Sequence, residues 1–381
     1  MALNLAHPIT PSLFTNLDLP DYMFGVAFAA MCIPIFLLSP FWGCLSDKLG
    51  RVNVMTFGLL GYGFGQFAFI MAQNSYQVVF ARFVSGIFIG GYLVTTMAFV
   101  ADNTSADNRA KYMTYYVAFH SVSTSLGYLI GGIIGDISIL WTVLIQVILM
   151  FVLATFHPFL LKNKVSSKSE KLDLKELFHS ANPFSSFAQA SHILNIALAT
   201  FLLAVFLTSF ATTGYDNAFN YYIRSELNFP PSYNGYIKAA TGSIGIIVNF
   251  TANHWLAKNI SGRKSIIIVL FLCSTSLFSV LLMGSVTAFL ISNVIFYAFN
   301  SMYLPIQQTL MTESADEASN GVLAGLFNSI KAIGMIAGSL FAGLVYSIDS
   351  SLPFIFSVIA FLLATIFSVI NYFQYKRKTH I

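Results

Sequence analysis

The chain has 381 residues, of which 56% are hydrophobic and only 9% charged, with 38 Phe and a formal net charge of +4. A soluble domain carries about 25% charged residues, so this chain cannot cover itself with polar surface and reads as an all-α polytopic membrane protein. The small positive charge is not a nucleic-acid signature, and three scattered cysteines (Cys32, Cys44 and Cys273) suggest neither a disulfide framework nor a metal site.

The first stretch, Met1–Phe14, has no basic n-region and is too short to span a bilayer. It reads as a partial span over 1–15. Runs of about 20 apolar residues, the length that crosses the hydrocarbon, then fall near 22–43, 52–73, 77–100, 112–135 and 139–161. A second set follows near 193–222, 233–257, 265–285, 287–310, 321–346 and 352–374. The segment 162–192 divides the chain into bundles over 1–161 and 193–381. It has five lysines, a serine cluster and an amphipathic piece, Leu172–Phe178, and reads as a connector with a short surface helix.

Fifteen of the 19 basic residues lie in alternate loops or the tail: Lys48 and Arg51; Arg109 and Lys111; Lys162, Lys164, Lys168, Lys171 and Lys175; Lys258, Arg263 and Lys264; Lys376, Arg377 and Lys378. Positive charge is retained on the cytoplasmic side, so both termini are expected there.

Between the second and third spans stands Gly43-Cys44-Leu45-Ser46-Asp47-Lys48-Leu49-Gly50-Arg51. Its glycines permit a tight turn and close helix approach, and its charges sit where helix ends meet the interface. Asn259-Ile260-Ser261-Gly262-Arg263 stands in the same place after the eighth span, and Asp102 and Glu313 each close the preceding span, so the halves read as weak repeats.

The string G-x-L-S-D-K-L-G-R resembles the loop between helices 2 and 3 of the major facilitator superfamily. That resemblance implies the major facilitator fold, two six-helix bundles, here with a first helix that is shortened because its beginning precedes Met1, a half helix or re-entrant segment being the alternative. It further implies a latch built from Gly43, Asp47, Gly50, Arg51 and Asp102, in which Arg51 pairs with Asp102 and Asp47 faces the start of helix 11. Arg82-Phe83-Val84-Ser85-Gly86-Ile87-Phe88-Ile89-Gly90-Gly91 resembles the helix-4 motif of proton-coupled drug exporters, whose arginine assists proton movement. Gly127, Gly131, Gly132 and Gly135 resemble the helix-5 signature of antiporters, with Gly132 where proline is expected and Asp136 where the last glycine is expected. Together with Gly86, Gly90, Gly334 and Gly338, the glycines Gly127, Gly131 and Gly135 are spaced for helix packing.

An ionisable group inside a span is costly and must face protein or water, which makes Arg82, Asp216 and Lys331 the candidates for proton coupling. An arginine that snorkels outward and a lysine held by one structural hydrogen bond are the plain alternatives. The resemblance implies a cavity lined by the first, fourth, seventh and tenth spans, which supply His7, Tyr92, Thr95, Phe210, Tyr215, Asn217, Asn300, Tyr303, Gln307 and Gln308. Rings with few charges suit a moderately hydrophobic substrate, and packing is the ordinary role of an aromatic in a span.

The resemblance implies a monomeric secondary active transporter of the cell membrane. It would move a small-molecule substrate by alternating access, with a proton as the coupling ion and no cofactor. The specific reading is efflux of drug-like compounds by the twelve-helix drug:proton antiporter group. The alternatives are a transporter of one metabolite and a transport-inactive member. No paired histidine ligands, G-x-S-x-G or phosphate loop points to an enzyme.

Overall fold

The computed structural model describes residues 1–162, 182–184, 187, 194–282, 284–313 and 320–379, and among them there is no strand. Contacts group the chain into two units. Unit 1 comprises Met1–Pro183 and Ile223–Ala239, and unit 2 comprises Phe184–Tyr222 and Ala240–Ile381. The connector expected over 162–192, with its piece Leu172–Phe178, falls almost wholly outside the described residues.

Unit 1 contains α1 (Thr10–Asn16), α2 (Met23–Leu49), α3 (Arg51–Ile70), α4 (Ser75–Asp102), α5 (Ala106–Ile137) and α6 (Ile139–Leu160). The chain before α1 is not the continuous helix expected over 1–15: a 3₁₀ turn, Ala2–Asn4, leads through further turns into α1. Pro8 and Pro11 account for the break, because proline has no N–H to donate and disfavours the α conformation in the residue before it. The backbone groups this frees are met from neighbouring helices. Gln146 Nε2 donates to Ala2 O at 2.9 Å and Leu3 O at 3.0 Å, and Tyr62 Oη donates to Leu3 O at 3.2 Å. Such local satisfaction is required where no water is present.

Residues 43–49, read from the sequence as part of a link, are the last turns of α2. The link itself is Gly50 alone, at φ 90° and ψ 141°, a conformation that strains any residue with a Cβ. Asn74 starts α4 by accepting from the Gln77 N–H at 3.0 Å, and Ser138 starts α6 by accepting from the Trp141 N–H at 3.3 Å. Helices in lipid associate through close packing rather than apolar burial. Accordingly, a methyl at Gly58 of α3 would lie 2.9 Å from the Phe88 carbonyl of α4. Large side chains such as Phe57, Phe64, Tyr76 and Phe80 point outward from the unit.

Unit 2 contains most of α7 (Ile196–Ser225) and the second part of α8 (Pro231–Val248). A π-helical turn, Asn249–Asn253, then leads into α9 (His254–Asn259), α10 (Gly262–Leu281), α11 (Val286–Glu313), α12 (Asn320–Tyr346) and α13 (Leu352–Thr379). Its core is aromatic. Tyr215 lies between Phe219, Phe296, Tyr297 and Phe354, with ring centroids 4.5–5.8 Å apart. Pro305 lies inside α11 and leaves the Ser301 carbonyl without its intrahelical donor. Asn249 Nδ2, at the start of the π turn, donates to that carbonyl at 3.3 Å and to Gly245 O at 2.8 Å.

Among the described residues, nine helices are long and apolar enough to cross a membrane. The other expected spans are short or more polar. Helix α1 has seven residues, α3 carries Asn53, Thr56 and Gln66 among its glycines, and α8 stops at the π turn.

Candidate functional site

The first cluster joins the ends of α2, α3 and α4 in unit 1. Gly50 places Arg51 at the first position of α3. From there Nε donates to Asp102 Oδ2 at 2.9 Å, while Nη2 pairs with Asp47 and Nη1 donates to Ser46 Oγ at 2.5 Å and Gly43 O at 3.5 Å. Gly43 therefore serves through its carbonyl rather than by close approach, since a Cβ there would meet only Val94 at an ordinary 3.8 Å. The carboxylates are 61% and 46% exposed. Pairs so open contribute about 0–1 kcal/mol to stability, so the network mainly fixes how three helix ends meet.

The second cluster surrounds Arg82, two turns into α4. Arg82 is buried, so it does not snorkel outward. Its Nη2 donates to Thr10 Oγ1 at 2.9 Å, and its guanidinium lies 3.7 Å from the Phe69 ring centroid. His7, on the same broken segment as Thr10, stacks on Tyr128 at 5.5 Å. Tyr92 stacks on His157 at 6.1 Å, and Thr95 is fully buried with Oγ1 unpartnered among the described residues.

The remaining glycines behave as packing residues. Side chains at Gly127, Gly131 and Gly135 would collide with Met1, Leu5 and Ile9 respectively, and those at Gly86 and Gly90 would meet Met31 and Ile35. In unit 2, Gly334 and Gly338 of α12 rest on the carbonyls of Phe206 and Phe210. Asp136 has a role that the sequence did not suggest. Its Oδ1 accepts from the Ser232 N–H at 2.9 Å, which caps the start of α8, and Gly132 lies against Pro231 beside it. Asp136→Ala is expected to cost about 1 kcal/mol as a lost cap, visible as a lower melting temperature. Asp136→Asn, whose amide oxygen still accepts, should lose less. An alanine variant that melts like the native protein would show that the cap adds nothing.

Unit 2 holds the third cluster. Asp216 lies nine residues from the end of α7, inside the helix, where Tyr297 Oη donates to its Oδ1 at 2.5 Å. One turn earlier, Thr212 Oγ1 is 3.1 Å from both Asn300 Oδ1 and Tyr303 Oη. Thr208 and Gln307 are joined at 3.1 Å, and Asn217 Nδ2 donates to Ser339 Oγ at 3.1 Å. These bonds link α7 to α11 and α12, so the polar candidates form one ladder. Tyr215 does not line an open surface, because it is fully buried at the centre of the aromatic core. Phe210 packs on Phe206 and Phe341, and Gln308 is exposed. Lys331, on α12, is half-buried and has no ion pair or hydrogen bond among the described residues.

The family model of the Major Facilitator Superfamily matches residues 1–339 and 201–380. The chain belongs to the Major Facilitator Superfamily. It is a multi-pass membrane transporter of that superfamily. Multidrug resistance protein 2 of Bacillus subtilis (strain 168) is 22% identical over 358 residues, covering 94% of this chain and 88% of that protein. Quinolone resistance protein NorA of Staphylococcus aureus (strain N315) is 23% identical over 394 residues, covering 99% and 94%. A bacterial homolog to the human lysosomal transporter Spinster superposes with a TM-score of 0.76 at 12% identity, covering 97% of this chain and 93% of that one. A bacterial metal transporter superposes at 0.67 and 14% identity, covering 97% and 94%. Structural likeness at these identities carries the major facilitator fold and no cargo.

Proposed function

We propose that the chain is a proton-coupled exporter of small hydrophobic, drug-like compounds, working as a monomer by alternating access in the cell membrane with both termini cytoplasmic. The observation that carries this reading is Asp216. It is a carboxylate inside a span, hydrogen-bonded to Tyr297 and placed next to the Thr212 ladder. Taking up a proton there removes a charge from the membrane interior and replaces an acceptor with a donor, which biases the contacts that α7 makes with α11. The relatives named for multidrug and quinolone resistance supply the substrate class. In this reading, the Arg51 network is the contact made and broken in the transport cycle, and Arg82 and Lys331 set the field in which the proton moves.

The test is ethidium efflux from energised vesicles, with and without collapse of the proton gradient. Asp216→Asn is expected to reduce gradient-driven efflux at least tenfold while ethidium binding persists. Uphill efflux at the native rate in that variant would remove Asp216 from the coupling step.

A further inference from the structure

A cleft of about 370 Å³ in unit 2 belongs to none of the clusters above. It lies where the π turn and α9 pass the first turn of α10 and the last turns of α11, with Asn253, His254, Ser265, Pro305, Thr309 and Glu313 in its walls. Part of its origin is local. Asn249 is committed to the Ser301 carbonyl that Pro305 exposes and accepts from Asn253 at 3.0 Å, so the helix widens into a π turn instead of closing against α11.

Two polar groups in the walls are unused. Ser265 is 1% exposed, and its Oγ is buried with no partner among the described residues. Glu313 has no partner among the described residues. The repeat explains the second of these. In unit 1 the corresponding carboxylate, Asp102, takes the arginine that follows the Gly link. In unit 2 that arginine, Arg263, turns instead to Asn371 at 2.9 Å and over the Tyr375 ring at 3.7 Å. One wall of the cleft is left with an open negative charge.

The cleft also lies at a telling depth. Gly262 begins α10 and Glu313 ends α11, so it opens where helices leave the hydrocarbon. Phe250 and Trp255 on the π turn and α9 are 74% and 58% exposed, as expected of aromatics at a headgroup boundary. Lys258 lies in the last turn of α9, and Lys264 lies in the first turn of α10 with its Nζ 5.9 Å from the Tyr372 ring centroid.

We propose that this cleft seats the zwitterionic headgroup of an aminophospholipid. The ammonium donates to the Glu313 carboxylate and Ser265 Oγ, the phosphate lies toward Lys258 and Lys264, and the acyl chains run past Phe250. A carboxylate in the wall, with lysines on the adjoining helix ends, complements an ammonium–phosphate pair and not a purely anionic headgroup. The exposed rings select a lipid over a soluble amine. This assignment is independent of which substrate is transported.

The test is native mass spectrometry of the delipidated full chain titrated with phosphatidylethanolamine or phosphatidylglycerol. The native protein is expected to retain phosphatidylethanolamine at least tenfold better. Glu313→Gln should erase that preference without changing phosphatidylglycerol binding. Ser265→Val, which leaves the charge in place, should weaken it severalfold, with melting temperature checked for both variants. An undiminished preference in both variants overturns the site, as does equal retention of the two lipids by the native chain. Displacement of bound phosphatidylethanolamine by millimolar free ethanolamine would overturn the lipid assignment in favour of a soluble amine.

Discussion

Replacing Gly131 with valine is expected to be among the most damaging single changes in this protein. A Cβ at that position overlaps the carbonyl carbon and oxygen of Leu5, which are backbone atoms with no rotamer to escape through. The segment Met1–Leu5 must withdraw from α5, and withdrawal pulls Ala2 O and Leu3 O off Gln146 and Leu3 O off Tyr62. Overpacking of this kind costs about 1–3 kcal/mol, and each buried polar group stripped of its partner adds about 1–3 kcal/mol. The combined loss is large against a total stability of about 5–15 kcal/mol. Thermal unfolding of the purified protein should show a fall of many degrees. Gly284→Ala serves as the control and should be silent, because nothing lies within 4 Å of a methyl there. A Gly131→Val protein that melts like the native one would mean that the Met1–Leu5 segment does not sit against α5.

Arg82 should show the opposite pattern, with little change in stability and a large change in transport. Its guanidinium is buried against Phe69 and bonded to Thr10, with no carboxylate salt-bridged to it among the described residues. An isolated charge is costly to bury, and an apolar residue of similar volume is often neutral or stabilising in its place. Arg82→Met is therefore expected to fold and to melt at or above the native temperature while losing at least tenfold in gradient-driven efflux. Arg82→Lys should not rescue transport. An ammonium cannot reproduce the guanidinium's place over the Phe69 ring together with the reach to Thr10 Oγ1. Thr10→Val, which removes only the bond, should fall between the two. Native efflux in Arg82→Met would make the residue dispensable and leave its burial without a transport role.

The fold was legible because its signals are coarse. Apolar run length, the Gly-Arg joint and glycines spaced by four each follow from one physical demand of the bilayer, and each could be read without knowing what lay opposite. The Arg51–Asp102 pair was readable for the same reason, since both residues stand at helix ends. What failed to show was everything that depends on a partner far along the chain. Asp136 looked like a lapse from a glycine pattern because the helix it caps begins 95 residues later, at Pro231. Tyr215 was a cavity candidate through resemblance, which names the span that supplies a residue but not what packs on it. Of the two readings of the first segment, the structure is nearer the half helix, and Gln146 and Tyr62 make its break tolerable. Those two side chains were ordinary polar residues in apolar runs, and that was their only signal.

Pro305 and Asn249 are separated by 56 positions, yet they share a single carbonyl, that of Ser301. Pro305 leaves that carbonyl without its helical donor, and Asn249, which also bonds Gly245 and Asn253, supplies one. A lineage that regained an ordinary residue at 305 would close the α11 ladder and free Asn249 from its tie to α11. A lineage that lost Asn249 first would carry an unmet carbonyl until the proline was replaced. The two positions therefore form one heritable character, and their order of replacement is constrained. Among relatives that differ here, the asparagine should be found where the proline is found and should be free to vary elsewhere.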